Sequence, residues 1–178
     1  MEKVVRVFSR RGRQRIRHDR LDDCSRSPTQ RWGAEKGGSD QAIGRSKGGL
    51  STKIHTTVDA LGNPIGFHLT GGQACDLDGA DVLLPHVKAN TMLADKGFDA
   101  DERVLIPLQR AGKTAVIPPK ANRKVQREYD KDLYKARHLI ENFFAKLKLF
   151  RAIATRYDKT ARNFLAAIHF AAVLIWLI

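Results

Sequence analysis

From Leu50 onward, β-branched segments alternate with segments of helical composition, and this order constrains the fold more than any other feature. Residues 51–59 and 65–70 are rich in β-branched side chains, and the Leu-Gly-Asn-Pro sequence between them favours a turn, which predicts a hairpin. Further strands are predicted at 91–94 and 114–117, and helices at about 76–87, 101–111, 130–150 and from 159 onward. The sequence therefore predicts an α/β fold in which a mixed sheet is covered by helices.

The first 36 residues lack such a pattern. Between Met1 and Arg20 there are eight Lys or Arg residues and only two acidic residues. Within this stretch, only residues 3–8 have the composition of a short strand. We therefore expect a basic N-terminal segment at 1–36 that is irregular or disordered, followed by a folded domain at 37–178.

The charge of the chain indicates its class of partner. The formal net charge is +13 and the pI is about 10.1. An excess of this size favours a polyanion, most simply nucleic acid, and the alternative is a solvated basic surface without a partner. Cys24 and Cys75 have no metal-ligand spacing and do not indicate a disulfide framework. The apolar run at 164–178 is interrupted by His169 and is too short for a membrane span, so we expect no membrane association.

Four polar residues near the C-terminus follow one another at intervals of three, four and seven: Tyr134, Arg137, Glu141 and Lys148. On a continuous helix these intervals place all four side chains within a sector of roughly 60°, beside an apolar face. A carboxylate there is positioned to hold a metal ion, and the cations are positioned to meet phosphate. For Glu141 alone, the alternative is an ion pair with Arg137 one turn earlier.

Asp95 directly follows the predicted strand at 91–94, and ligand sites in open α/β sheets gather at the carboxyl ends of strands. Asp95 and Glu141 could together ligate Mg²⁺, a hard cation that favours carboxylate oxygens and water. Taken alone, Asp95 is better explained as a turn residue that hydrogen-bonds its own backbone. The presence of both acids in a strongly basic chain favours the metal site. His55, on a predicted strand, is interpreted as a sheet residue rather than a ligand.

The spacing of the four polar residues is the signature of DDE-type transposases of bacterial insertion sequences, which the second half of the chain resembles. Residues 93–98 (Leu-Ala-Asp-Lys-Gly-Phe) are similar to the segment that carries the second catalytic Asp of that family. Residues 41–72 and 155–164 also resemble the family, so the likeness covers about residues 37–178.

The resemblance implies an RNase H-like fold and Mg²⁺-dependent cutting and joining of double-stranded DNA at the ends of a mobile element. Two Asp and one Glu would hold two ions, which activate the nucleophile and stabilise the leaving 3′-oxygen. Asp95 and Glu141 would be catalytic metal ligands. The residues implied to contact DNA are Tyr134, Arg137, Lys148, Lys120, Arg123, Lys124 and Arg127. A homodimer in a synaptic complex and a cytoplasmic, nucleoid-associated location are expected by analogy.

The region of the first catalytic Asp departs from the family pattern. Asp23 begins a match of three residues to the expected motif, so Asp23, or its neighbour Asp22, is the candidate for the remaining catalytic metal ligand. Pro28 and the polar residues around it do not make a central strand. Residues 3–8 could fill the place of that strand, but they contain no Asp to serve as a metal ligand. We therefore expect the first strand to be missing or irregular, and the chain to be a truncated or frame-disrupted transposase.

Two other functions stay open at this point. The first is a non-catalytic, DNA-binding remnant of a transposase, which differs from an active enzyme in the state of its first Asp. The second is a basic nucleic-acid-binding protein unrelated to transposition, such as a ribosome-associated factor. The carboxylate among the four polar residues argues against the second alternative, because simple phosphate binding needs no carboxylate there.

Overall fold

A computed structural model describes residues 4–11, 41–46 and 49–177. The strands are β1 (Val4–Arg11), β2 (Gly44–Ser46), β3 (Gly49–Val58), β4 (Pro64–Gly71), β5 (Thr91–Ala94) and β6 (Thr114–Val116). The α-helices are α1 (Asp76–Leu83), α2 (Ile106–Arg110), α3 (Lys131–Lys135), α4 (His138–Leu147), α5 (Arg151–Ala154) and α6 (Ala161–Leu177). Short 3₁₀ turns lie at Leu84–His86 and Lys96–Phe98, and a π-helical turn at Asp101–Leu105 precedes α2. The predicted mixture of helices and strands is confirmed.

Strand β1 lies in the interior of the sheet, between β3 and β5. It runs antiparallel to β3, with Phe8 opposite Thr56, and parallel to β5, with Val7 opposite Ala94. Residues 3–8 were a candidate for such an interior place, whereas the expectation that the Asp-bearing first strand is missing or irregular falls on residues 12–40, outside the described residues, and stays a prediction. Residues upstream of the interrupted motif take this place, because their β-branched composition suits a strand and pairing on both sides satisfies their backbone groups. β1 nevertheless contains no Asp or Glu.

Strands β3 and β4 form the predicted hairpin, and Asp59 holds its turn. The Oδ1 atom of Asp59 accepts hydrogen bonds from the backbone N–H groups of Leu61 and Asn63, both at 2.9 Å. Gly62 has a φ of +92°, a conformation that favours glycine. Because β1 pairs with one side of β3 and β4 with the other, β3 is an interior strand, and residues 51–58 are buried.

Two apolar clusters pack against the sheet with different helices. In the first, Ile54 and Val58 of β3 pack with buried side chains of α4, α5 and α6. In the second, Met92 and Ala94 of β5 pack with side chains of α1 and α2. Because β5 is anchored in a packed cluster, the residue that follows it is held in a defined place.

The helix predicted at 130–150 is interrupted, so the prediction of one continuous helix is wrong. Between α3 and α4, the ψ of Ala136 is −7°, and the N–H of Arg137 donates to the carbonyl of Tyr134 at 2.9 Å. This is a 3₁₀-type bond, which tightens the chain by comparison with an α-helix. Tyr134 and Arg137 flank the tightened turn and therefore do not lie on one straight helical row.

The C-terminal helix α6 packs on the core through one side. Phe164 and Ile168 are fully buried, whereas Phe170 and Trp176 are mostly exposed. Within the described residues, no helix combines the length and the hydrophobicity that crossing a bilayer requires. The apolar run at the C-terminus thus forms a helix, but only one side of it belongs to the core, and an assignment of Phe170 and Trp176 to the core is wrong.

Candidate active site

Asp95 directly follows β5, whose four residues are all buried. Its backbone carbonyl accepts a hydrogen bond from the N–H of Phe98 at 2.8 Å, which closes the following 3₁₀ turn. The side chain makes no capping bond to this turn. The interpretation of Asp95 as a turn residue that bonds its own backbone is therefore wrong, because its carboxylate is engaged by side chains from the α3–α4 region.

Arg137 bridges Asp95 and Glu141. Its Nη1 atom lies 3.0 Å from Oδ1 of Asp95, and its Nη2 atom lies 3.0 Å from Oε1 of Glu141. The local ion pair between Arg137 and Glu141, foreseen as an alternative, is therefore present together with a contact across the fold. Two carboxylates that are remote in sequence meet on the terminal nitrogens of one guanidinium group.

The hydroxyl of Tyr134 donates a hydrogen bond to the same Oδ1 atom of Asp95, at 3.0 Å. Burial, followed by the neighbouring Asp95 carboxylate, raises the pKa of Tyr134 to about 12. The phenol therefore keeps its proton at neutral pH and continues to donate. Its ring packs edge-on against Tyr129, with ring centroids 5.5 Å apart. Asp95 is thus held by one neutral donor and one cation.

A cleft of about 840 Å³ opens beside Asp95. Its lining includes Asp76, Lys96, Lys120, Asn122, Tyr129 and Tyr134. The cleft therefore combines ammonium groups that can meet an anion with carboxylates that can meet a cation. Tyr129 was not among the predicted site residues, and its only signal in the sequence was its position next to the Lys- and Arg-rich loop at residues 120–128 (the basic loop).

Asp99 organises the basic loop that follows β6, and Asp99 was not among the residues predicted from the sequence. Its side chain is 1% exposed and accepts a hydrogen bond from the backbone N–H of Lys120 at 2.8 Å. Its Oδ1 atom also lies 2.6 Å from Nη1 of Arg123 and 2.7 Å from Nη2 of Arg127. Burial acts to raise the pKa of Asp99, but the Lys120 N–H and the two guanidinium groups outweigh it, so this pKa is lowered.

Apart from Arg137, the cations predicted to contact DNA therefore fall into two groups. Arg123 and Arg127 are counter-ions of a buried carboxylate, which leaves them less available to phosphate. Lys120 lines the cleft, and Lys124 is exposed on the same loop. Lys148 is exposed at the C-terminal end of α4.

The acids available for a metal ion are few. Within the described residues, no three His, Cys, Asp or Glu side chains lie together as a metal-binding group. Asp23 lies outside the described residues, and β1 offers no acid. Asp76 also lines the cleft, but its Oδ1 atom lies 2.7 Å from Nζ of Lys53. Asp95 and Glu141 are the better candidates, because the guanidinium group of Arg137 already contacts both of them. Two hard oxygen donors suit one divalent cation whose other positions are taken by water.

His55 on β3 has the environment of a structural residue, in agreement with the sequence interpretation. It is 1% exposed, and its Nε2 atom is hydrogen-bonded to Oγ1 of Thr70 at 2.7 Å. Its Nδ1 atom is buried and has no hydrogen-bond partner among the described residues. Helix α1 packs closely on this ring, because a Cβ at Gly79 would lie 2.1 Å from Nδ1. Burial lowers the pKa of His55 to about 4, so the ring is neutral.

Comparison with known proteins agrees with the motifs. Residues 24–176 match the family described as "Transposase DDE domain". Over 129 residues, which are 72% of this chain and 99% of the relative, the sequence is 38% identical to a Brucella ovis protein named "Putative transposase for insertion sequence element IS6501". No solved structure matches the chain. The matches argue against a basic nucleic-acid-binding protein unrelated to transposition. The chain belongs to the family of DDE-type insertion-sequence transposases.

Proposed function

We propose that the chain binds double-stranded DNA at transposon ends and catalyses its Mg²⁺-dependent cleavage and transfer, with Asp95 and Glu141 as metal ligands. One observation carries the proposal: the two carboxylates lie 3.0 Å from the two terminal nitrogens of Arg137. The cleft beside Asp95 supports it, because Lys96 and Lys120 in its lining can neutralise phosphate. Membership of the family supports DNA as the class of substrate.

An RNase H-like arrangement is part of this proposal. In that fold, the first strand lies between the hairpin and the strand that carries the second Asp. The position of β1 between β3 and β5 supports this arrangement. The boundary between a segment at 1–36 and a catalytic domain at 37–178 stays a prediction, because residues 12–40 lie outside the described part of the chain. β1, which falls within 1–36, pairs with strands of the domain.

Each residue of the site has a distinct task in the proposed reaction. Asp95 and Glu141 hold the ion through carboxylate oxygens, and the Tyr134 hydroxyl fixes the orientation of Asp95. A bound divalent cation supplies polarisation of the phosphodiester and activation of the attacking oxygen. Arg137 and Lys148 bind phosphate oxygens beside the bond that is cut, which orients the DNA for in-line attack.

The proposed reaction also implies an oligomeric state and a location for the chain. Joining two ends of one element requires two active sites, so we propose a homodimer in the synaptic complex. A chromosomal substrate places the protein in the cytoplasm, in association with the nucleoid. Asp23 is the proposed third ligand, and the exposed Lys124 adds charge along the duplex.

A second candidate function is that of a transposase remnant that binds DNA without cutting it. One observation favours it: the interior strand β1, between β3 and β5, contains no acid. With two carboxylates, the site suits one ion rather than two. The two candidates differ in cleavage and agree in DNA binding.

A cleavage assay on duplex DNA that contains the element's ends, in Mg²⁺ or Mn²⁺, tests the proposal. We expect Asp95→Ala and Glu141→Ala each to lower the rate at least about a hundredfold, because each removes a metal ligand. Both variants should still bind DNA in a parallel anisotropy titration. Lys135→Gln is the control and should keep the wild-type rate, because the side chain of Lys135 is 78% exposed and pairs with Asp132 on the surface.

The outcomes separate the candidates. Loss of cleavage in Asp23→Ala identifies Asp23 as the third ligand. A wild-type chain that binds the ends but never cuts them leaves the remnant as the function. Cleavage that survives in both Asp95→Ala and Glu141→Ala overturns the assignment of the site.

The salt dependence of DNA binding tests the assignment of the cations. Lys148→Gln and Lys120→Gln are each expected to reduce the slope of log K against log salt concentration by about 0.9, because one phosphate contact is lost. Lys135→Gln removes the same charge from a surface ion pair and should leave the slope unchanged. Anisotropy titrations of a labelled duplex at several salt concentrations measure the slopes. Identical slopes for Lys148→Gln and Lys135→Gln would argue against a phosphate contact at Lys148.

A further inference from the structure

We propose that Arg137 couples the binding of DNA to the binding of the divalent cation by exchanging partners. Without the cation, the guanidinium group occupies the position between Asp95 and Glu141. When DNA binds, the group moves to a phosphate and leaves both carboxylates free for the ion. This inference rests on the proposed function and adds a regulation of the same site.

The guanidinium group of Arg137 and a divalent cation compete for the same two carboxylates. Its Nη1 and Nη2 atoms each lie 3.0 Å from a carboxylate oxygen, one on Asp95 and one on Glu141. Mg²⁺ binds carboxylate oxygens at about 2.0–2.1 Å, so an ion shared by Asp95 and Glu141 would lie beside the guanidinium group that contacts the same two carboxylates. Two cations held by the same pair of carboxylates repel each other, so an ion that binds both acids favours departure of the guanidinium group.

The exchange leaves the carboxylate of Asp95 in place. Its Oδ1 atom also accepts a hydrogen bond from Tyr134 at 3.0 Å, a donor distinct from Arg137, although the guanidinium group also lies 5.7 Å from the centroid of the Tyr134 ring. The ring of Tyr134 packs against Tyr129, which restricts its movement. When the guanidinium group departs, the acid is therefore still oriented by a neutral donor.

Arg137 is also accessible enough to move. Its side chain is 25% exposed, and those of Asp95 and Glu141 are 31% and 47% exposed. A phosphate offers the guanidinium group two parallel hydrogen bonds, which replace those made to the two carboxylates. In turn, the ion neutralises the acids that Arg137 has left. Each binding event thus removes the main obstacle to the other.

The coupling has a defined consequence. Because the two binding equilibria are linked, DNA must raise the affinity for the cation by the same factor by which the cation raises the affinity for DNA. We expect this factor to be about tenfold, within the usual range for coupled sites. The factor must disappear when Arg137 can no longer bridge the two acids.

The test uses the full chain and Mn²⁺, whose unbound fraction is measured by electron paramagnetic resonance. In the wild type, a short mixed-sequence DNA duplex should tighten Mn²⁺ binding about tenfold. In Arg137→Met, Mn²⁺ should bind more tightly than in the wild type without DNA, and the duplex should no longer change the affinity. Arg137→Lys keeps the charge but has only one nitrogen, so its behaviour should lie between the two.

Lys135→Met is the matched control. It removes one positive charge from a neighbouring surface position, where Lys135 pairs with Asp132 at 2.7 Å. It should keep the wild-type response of Mn²⁺ binding to DNA, which separates the exchange from a general effect of charge. Circular dichroism verifies that each variant is folded.

The failures of the exchange and of the proposed function are distinguishable. If the wild type binds Mn²⁺ through Asp95 and Glu141, but Arg137→Met binds it no better and still responds to the duplex, the exchange is overturned and the metal site stands. If Mn²⁺ binding is absent, or is unchanged by Asp95→Ala, the metal site and the exchange fail together.

Discussion

Lowering the pH from about 7.5 to about 5 is expected to reduce the free energy of unfolding by about 2 kcal/mol through His55 alone. Burial lowers the pKa of His55 from 6.5 to about 4 in the folded chain. Below the unfolded value, the unfolded state takes up a proton that the folded state does not accept. Stability is therefore lost as the pH falls from about 6.5 towards about 4, and this loss ends below the folded pKa.

The surroundings of His55 explain the direction of the shift. Burial is the largest cause, and the nearby His68 of β4 lowers the pKa further, as does Lys53 to a smaller extent. Asp76 and Asp78 of α1 act in the opposite direction without reversing the result. A second proton on the ring would place an N–H at Nδ1, where no acceptor is found among the described residues.

Urea unfolding at the two pH values measures this effect. In His55→Gln, the difference between the two pH values should shrink by about 2 kcal/mol, even if the variant is less stable throughout. His138→Gln, at an exposed position of α4, should keep the wild-type difference. A nuclear magnetic resonance titration of the folded chain in which the His55 ring titrates near its ordinary pKa would contradict the prediction.

Replacing both Arg123 and Arg127 with Met is expected to lower the free energy of unfolding by about 3–5 kcal/mol. The double variant leaves the carboxylate of Asp99, which is 1% exposed, with only the N–H of Lys120 as its described donor. A buried charge without a counter-ion is strongly unfavourable. Urea unfolding at neutral pH measures the loss, and Lys124→Met on the same loop should change stability by less than about 0.5 kcal/mol.

A third substitution separates the buried charge from lost packing. Asp99→Asn in the double variant removes the negative charge and keeps the shape of the side chain, so it should recover at least half of the lost stability. In the wild-type background, the same substitution should destabilise the chain, because it weakens the contacts of Asp99 with both arginines. A triple variant that is no more stable than the double variant would show that the loss does not come from the buried charge.

Local chemistry made part of the fold predictable. The strand at Thr91–Ala94 has the bounds expected from its composition, and the β3–β4 hairpin follows from β-branched arms around a turn sequence. The break at Ala136 was not predictable, because no Gly or Pro marks it. It accompanies contacts of Tyr134 and Arg137 with Asp95, about forty residues earlier, which no local pattern contains.

The candidate site was predictable to a similar degree. The intervals between Tyr134, Arg137 and Glu141 pointed to one polar cluster, and the structure joins these residues to Asp95. Asp99 could not be identified as important, because its role depends on burial and on donors more than twenty residues away. For the same reason, the sequence did not show that Arg123 differs from the exposed cations of its loop.

The place of β1 shows that scaffold and chemistry are separable in this domain. Strands pair in a sheet through their backbone N–H and C=O groups, so pairing does not depend on whether a strand carries a catalytic side chain. A strand without an acid can therefore fill the interior slot and shield the edges of β3 and β5 from pairing with other chains. Replacing an acid on such a strand would therefore change the chemistry of the domain and leave its sheet assembled.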